Sequence, residues 1–383
     1  MSELLVGDLY RFQDLLSPEE SAVVERLRAF LDAEVKPIAN DCWERAEFPF
    51  QLIKGYADLG IAGRSHSSLL SGWIALEMAH ADPSLATFFG VHSGLAMGSI
   101  ATCGSAQQQE RWLPEMATFA KIGAFALTEP TGGSDVAAGL RTTARRDGDH
   151  WILDGAKRWI GNGTFADLVV VWARDVADDQ VKGFVVAGDA PGFRATKIER
   201  KIALRTVQNA DITLTGVRVP EADRLQNANS FKDTAQILRQ TRSGVAWQAV
   251  GVMLAAYEIA LAYAKEREQF GRPIGKFQLV QDLLVRMVGN VTGAMGMCVR
   301  LAQLQDNGEY RDEHSALAKA YCTTRMREVV GWARELLAGN GIVLDYDIGR
   351  FVADSEALYS YEGTREINTM IVGRAVTGLS AFV

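Results

Sequence analysis

Between about residues 123 and 228 the hydrophobic periodicity of this chain turns strand-like, and on both sides it is helical. No other feature restricts the fold as strongly. The middle block has short apolar and aromatic runs around two Asp-Gly pairs, "DGDHWILDGAKRWIGNG", a hairpin signature. "DLVVVWARD", "KGFVVAG" and "ADITLTGVRVP" read as strands. In the last, Ile212 and Leu214 share a face, Gly216 shifts the phase, and Val217 and Val219 share a face after it. A block of about 100 residues of this kind predicts a small antiparallel sandwich or barrel.

The flanks read differently. "SPEE" at 17–20 predicts a helix start, with Ser17 as N-cap, Pro18 at the first position and Glu20 closing a capping box. Val23, Val24, Leu27, Phe30 and Leu31 follow at helical spacing, with further helices near 50–59, 71–80 and 106–118. From about 230 onward long helices return, and Pro273 is the only proline after Pro220. The expectation is an α+β multidomain chain: an all-α N-terminal domain (1–122), an antiparallel β-barrel or sandwich (123–228) and a C-terminal four-helix bundle (229–383).

A length of 383 residues is too great for one ordinary core, which agrees with several domains. The formal net charge of −7 argues against a nucleic-acid binder. Cys42, Cys103, Cys298 and Cys322 are scattered, as reduced thiols in a cytoplasmic protein would be, with no disulfide frame or metal site implied. "MSELLVGDLYRFQDLL" lacks the pattern of a secretory leader, and "LSAFV" is not a peroxisomal address. The charge-free stretch Ser243 to Tyr257 spans 15 residues against the roughly 20 of a membrane span, so a buried helix is expected and no membrane partner. No dinucleotide fingerprint or phosphate loop is present.

Two stretches carry candidate chemistry. "FALTEPTGGSDVAAG" (125–139) is either a loop whose amides and hydroxyls approach a ligand or a plain Gly-rich connector. In "YEGTREIN", Glu362 is either a base or a solvated loop charge ahead of Gly363.

"LTEPTGGSD", "AKRWIGNG", "AKEREQFGRPIGKFQ", "LLAGNG" and "YEGT" occur in that order across an α–β–α chain. In this the sequence resembles the acyl-CoA dehydrogenase and oxidase superfamily over essentially its whole length. It is most like the glutaryl-CoA dehydrogenase branch and the plant short-chain acyl-CoA oxidases. The resemblance implies FAD as cofactor, an acyl-CoA substrate, an electron-transfer flavoprotein as acceptor and a homotetramer built as a dimer of dimers. It implies that Glu362 is the base that removes the α-proton, while the β-hydride goes to flavin N5. Phe125, Leu127, Thr128, Gly133 and Ser134 would line the flavin or the adjoining thioester pocket, with Trp159, Ile160 and Gly161 at the isoalloxazine ring. Arg267, Phe270, Gln278, Glu335 and Gly339 would reach the pyrophosphate and adenine half of a neighbouring subunit's cofactor, and Thr364 and Glu366 would close over it. For Arg267 the competing reading is a solvated helix charge. Tyr361 and Gly363 would border the substrate beside Ser134. Arg242 matches an arginine at the substrate entrance, against the alternative of a buried helix-pairing cation.

Three departures from the family pattern bear on substrate and acceptor. Residues 80–94, "HADPSLATFFGVHSG", hold no Arg or Lys to bind a distal carboxylate, which disfavours glutaryl-CoA because a buried unpaired carboxylate costs several kcal/mol. Phe88 and Phe89 suggest an apolar acyl pocket, or core. Gly161 stands where many relatives carry a threonine beside flavin N5, which keeps an oxidase as the alternative to a dehydrogenase. "RSHSSLL" replaces a longer Gly-rich loop at the acyl end of the pocket. An intact Glu362 argues against both a nitroalkane oxidase, which places aspartate there, and a catalytically silent subunit. A base placed instead on another helix of the bundle would fall near Gly244–Gly251, where no acid occurs.

Overall fold

The protein is described from a computed structural model covering residues 5–63 and 66–381. The readings of the extreme termini, and of Arg64 and Ser65 in the short loop, lie outside the described residues.

Seven helices form the N-terminal part: α1 (Pro18–Phe30), α2 (Lys36–Arg45), α3 (Leu52–Leu59), α4 (Ser68–Ala81), α5 (Pro83–Phe89), α6 (Gly98–Cys103) and α7 (Ala106–Ala117). The expected capping box at α1 is formed: the Ser17 hydroxyl accepts from the Glu20 N–H at 3.2 Å, and the Glu20 carboxylate accepts from the Ser17 N–H at 2.9 Å. Between α5 and α6 the chain passes through a π-helical segment, Gly90–Met97, which faces the candidate site.

The sheet follows: β1 (Gly123–Ala126), then a short α8 (Val136–Gly139), β2 (Thr143–Asp147), β3 (His150–Ile160), β4 (Leu168–Asp175), β5 (Val181–Ala187), β6 (Phe193–Lys197) and β7 (Ala210–Pro220). Its order is β1-β4-β2-β3-β7-β6, with β5 on β4. Most pairings are antiparallel as expected, but β4 pairs in parallel with both β1 and β2. Only the first Asp-Gly pair turns the chain. The second, Asp154-Gly155, lies inside β3 at a register shift against β7. β4 reads as continuously apolar because both its faces are covered. Val169, Val171 and Ala173 enter the sheet's own core, whereas Leu168, Val170 and Trp172 enter the core shared with the helices. The phase change at Gly216 is present: its φ is 57°, and Leu214 and Val217 on either side of it are both buried.

The C-terminal part holds α9 (Phe231–Glu266), a small hairpin of β8 (Glu268–Gln269) and β9 (Arg272–Pro273), α10 (Gln278–Asp306), α11 (Asp312–Leu336), α12 (Ile348–Ser360) and α13 (Arg365–Thr377). The charge-free stretch is the centre of the 36-residue α9, longer than sequence alone suggested. By length and composition α9 is able to cross a membrane, yet 78% of its most apolar window is buried in the protein, as a core helix is.

Asp354 on α12 joins the three parts. It accepts from Trp43 Nε1 on α2 at 2.8 Å, from Ser84 Oγ on α5 at 3.2 Å and from the Leu204 N–H of the β region at 2.6 Å. Burial, and then the nearby Asp82 carboxylate, push Asp354 up to about 6. Arg350 pairs with Asp82 at 2.6 Å and so supplies the compensating charge. α12 is thereby fixed against both other parts, and its C-terminal end carries the candidate base.

Candidate active site

α12 ends at Ser360, where the Tyr361 N–H donates to the Ala357 carbonyl at 2.9 Å. Glu362 and Gly363 then both adopt left-handed backbone, φ 54° and 85°. Glycine takes this conformation freely, but at a glutamate it is strained by about 1–2 kcal/mol. Thr364 caps α13, its hydroxyl accepting from the Ile367 N–H at 3.3 Å. The turn swings the Glu362 side chain back onto the wall of a cavity of about 710 Å³ between α4, α5, the π-helical segment and α9.

The carboxylate of Glu362 accepts from Thr241 Oγ1 on α9 at 2.7 Å. Burial raises its pKa above the ordinary carboxylate range, against the pull of the Thr241 hydroxyl and of the Arg242 and Lys319 charges. Beside it, Tyr361 donates to Gln248 Oε1 at 2.7 Å, and Gln248 Nε2 donates to the Ala86 carbonyl at 3.3 Å. These groups and Thr87 give the cavity a polar wall whose hydrogen bonds are already satisfied. Phe89 supplies apolar lining, whereas Phe88 is fully buried in an aromatic cluster with Phe48, Tyr56 and Phe119, so only one of the adjacent pair faces the cavity. No Lys or Arg lines the cavity among the described residues. Arg242 lies behind the wall: it is half-buried, its buried Nε lacks a hydrogen-bond partner, and a side chain at Gly363 would approach that Nε to 3.9 Å.

A second group of sequence candidates gathers at the exit of β1. Phe125 and Leu127 are buried and Thr128 is half-buried. The Thr128 carbonyl accepts from the Arg158 N–H at 2.9 Å, which sets the β1 exit beside the end of β3. There the β3–β7 register shifts between Lys157 and Ile160, and Trp159 has φ 65°. The bulge turns the Trp159 indole outward, 52% exposed, while Ile160 stays buried. Gly161 is buried, and a Cβ there would come within 3.0 Å of Val91, a cavity-lining residue, so any side chain at 161 crowds that wall. Gly133 and Ser134 are exposed on the following loop, and neither lines the cavity. The loop is anchored by a buried pair, Lys157 Nζ to Glu129 at 2.9 Å.

The third group is remote. Arg267, Phe270, Gln278, Glu335 and Gly339 are all exposed. Arg267 caps the far end of α9, roughly 37 Å along the helix axis from Arg242 at about 1.5 Å per residue. Phe270 sits at the tip of the β8–β9 hairpin with φ 53° and is 92% exposed. Glu366 is exposed in the first turn of α13 and pairs with Arg365 at 2.8 Å.

Two residues at the site escaped the sequence reading. Thr241 stands one position before Arg242 in "RQTRSG", just outside the Gly244–Gly251 stretch; it is the α9 residue whose side chain meets Glu362. Lys319 is a lone cation among small apolar residues in "SALAKAYC", a pattern that signals a buried charge.

Comparison with known proteins agrees along the whole chain. Sequence profiles described as acyl-CoA dehydrogenase N-terminal, middle and C-terminal domains match residues 17–120, 124–217 and 231–377. The mouse short-chain specific acyl-CoA dehydrogenase of mitochondria is 33% identical over 375 residues, covering 94% of this chain and 91% of that protein. Glutaryl-CoA dehydrogenase from Mycobacterium smegmatis superposes with a TM-score of 0.95 at 38% identity, over 98% of this chain and 99% of that one. A second structure of a glutaryl-CoA dehydrogenase from that organism, in complex with FADH2, superposes with a TM-score of 0.95 at 34% identity and full coverage of both chains. With three consecutive domain profiles, full-length relatives and a half-buried glutamate at the junction of α12 and α13, this chain belongs to the acyl-CoA dehydrogenase family.

Proposed function

We propose that the chain is an FAD-dependent dehydrogenase of short-chain acyl-CoA thioesters, with Glu362 as the base that takes the α-proton. One observation carries the reading: Glu362 is a carboxylate of raised pKa, held in strained backbone, on the wall of a cavity large enough for a small acyl thioester. A base whose pKa is raised toward the working pH transfers protons efficiently. Thr241 orients one carboxylate oxygen of Glu362, which lines the cavity. Tyr361 and Gln248, hydrogen-bonded to each other, form the wall beside it. Because the α12 ladder ends at the Tyr361 N–H, the Glu362 amide lies outside it, where a donor to the thioester carbonyl is needed.

FAD, when bound, supplies the acceptor for the β-hydride. The rim around Trp159, Phe125, Leu127 and Thr128 suits it, because a half-exposed indole, apolar neighbours and a hydroxyl match a flat ring with a polar edge. The open backbone at Gly132 and Gly133, where a Cβ would meet nothing closer than 3.8 Å, permits close approach. Arg267, Phe270 and Gln278 are exposed beyond the far end of α9, away from the end that meets Glu362. We therefore assign them to the cofactor of a neighbouring copy, in a homotetramer. Electrons then pass to an electron-transfer flavoprotein.

A cavity without Lys or Arg among its described lining residues favours an uncharged short acyl group. The likeness to a glutaryl-CoA dehydrogenase favours a dicarboxyl substrate instead, for which Arg365, exposed and paired with Glu366, is the first candidate cation. Anaerobic titration decides. Butyryl-CoA is expected to bleach the yellow protein faster than glutaryl-CoA, and faster bleaching by glutaryl-CoA reverses the substrate assignment. Failure of every acyl-CoA to bleach it overturns the dehydrogenase reading. Peroxide formed as fast as turnover with an artificial acceptor makes the chain an oxidase.

A further inference from the structure

Lys319 on α11 is wholly buried, and its ammonium faces no carboxylate within salt-bridge distance among the described residues. It donates to the Gly363 carbonyl at 2.5 Å and to the Tyr359 carbonyl at 3.3 Å. Tyr359 belongs to the last turn of α12, and Gly363 directly follows Glu362. One ammonium therefore ties the two sides of the strained turn that presents the carboxylate. Asn368 Nδ2 on α13 donates to the same Gly363 carbonyl at 2.9 Å and to that of Thr364 at 3.0 Å, so the peptide after the base is held from two helices. An isolated ammonium is costly to bury, and burial lowers the pKa of Lys319 to about 8. α11 supplies backbone contacts and packing at this point without needing a charge. What a charge adds here is a fixed carbonyl and a positive potential at Glu362.

We infer that Lys319 is a positioning residue for the base: its ammonium fixes the Gly363 peptide so that the Glu362 carboxylate faces the cavity, and its charge favours the ionised carboxylate. This rests on Glu362 acting as the base. The groups that face the carboxylate are Thr241 and Arg242 from α9, Lys319 from α11 and Tyr361 beside it. Glu366 of α13 acts on Lys319, and Asp312 and Tyr310 act on Arg242. Lys319 and Arg242 are thus the two cations set against the burial that raises the pKa of Glu362.

The test compares wild type, Lys319→Met, Lys319→Gln and Lys319→Arg as FAD-loaded protein. Amide exchange across residues 361–366 is followed alongside the pH profile of anaerobic flavin reduction by butyryl-CoA. Lys319→Met is expected to speed exchange in that turn severalfold. It is also expected to move the midpoint of the reduction profile up by about one pH unit, which is about tenfold slower reduction below the midpoint. Butyryl-CoA affinity should stay within about twofold. Lys319→Arg should restore the midpoint. Lys319→Gln, neutral but still a donor, should shift the midpoint with less change in exchange, and it is read in place of Lys319→Met if the methionine variant is insoluble. Unchanged exchange and an unchanged midpoint overturn the proposal. A wild-type protein that no acyl-CoA bleaches overturns the base assignment instead, and the exchange comparison still judges the tie.

Discussion

The two ends of α9 face opposite situations. Near its start, half-buried Thr241 and Arg242 look inward at Glu362, the first donating to the carboxylate and the second setting a positive charge beside it. At its far end, Arg267 and the hairpin bearing Phe270 stand in solvent, and Phe270 and Leu279 expose most of their apolar surface. On the function proposed here, the first end is the proton-transfer site. The second carries exposed residues that, on the same proposal, a further copy of the chain would cover. The contrast teaches that, on the function proposed here, the chemistry is built within one chain whereas retention of the cofactor depends on assembly.

The strongest way to break this contrast is Glu362→Gln. It keeps the shape and removes the base, so flavin reduction by butyryl-CoA should fall about 10²–10⁴-fold in stopped flow, with colour and oligomeric state unchanged. Loss of colour would mean that the cavity end also serves assembly. At the other end, Arg267→Ala combined with Phe270→Ala should weaken FAD retention by about tenfold or more, since the proposed guanidinium contact to a neighbouring copy's pyrophosphate would be lost. Ultrafiltration measures the loss, and sedimentation should show smaller species. Butyryl-CoA binding to protein that retains its flavin should be unaffected. A stable monomer with full flavin occupancy would remove the assembly argument.

A smaller effect is expected of Thr241→Val, which deletes the 2.7 Å hydrogen bond to the carboxylate. Loss of a donor that favours the charged form raises the pKa of Glu362 further. Reduction at neutral pH should slow by about tenfold and recover as the pH is raised.

The smallest effect concerns stability. The pKa of Glu362 is raised in the folded chain, so folding favours its protonated form. That contribution is present below the ordinary carboxylate pKa and is lost as pH rises through the folded value. Glu362→Gln cannot ionise, so its melting temperature should exceed that of wild type at neutral pH and converge with it in acid. The Arg267 and Phe270 variants should show no such pH-dependent gain, because those residues are exposed.

Local signals carried much of this protein. The capping box at Ser17 and Glu20, the phase shift at Gly216 and the turn at Gly363 each depend on neighbours within a few residues, and each was legible in the sequence. The motif order made the family legible as well, and with it a candidate for the base. The parallel pairings of β4 were not legible, because an apolar strand covered on both faces carries no alternation to indicate its partners. Thr241 lies 121 residues before Glu362 and Lys319 lies 44 before Gly363. Which hydroxyl and which ammonium meet the base is set by how α9 and α11 pack on the end of α12, and periodicity records only the buried face of each helix. By itself the sequence determined the elements, their order and the residue proposed to bear the chemistry. Only the tertiary structure decided what surrounds that residue, because burial and contact across distant segments, not local propensity, set the charge and orientation of a buried carboxylate.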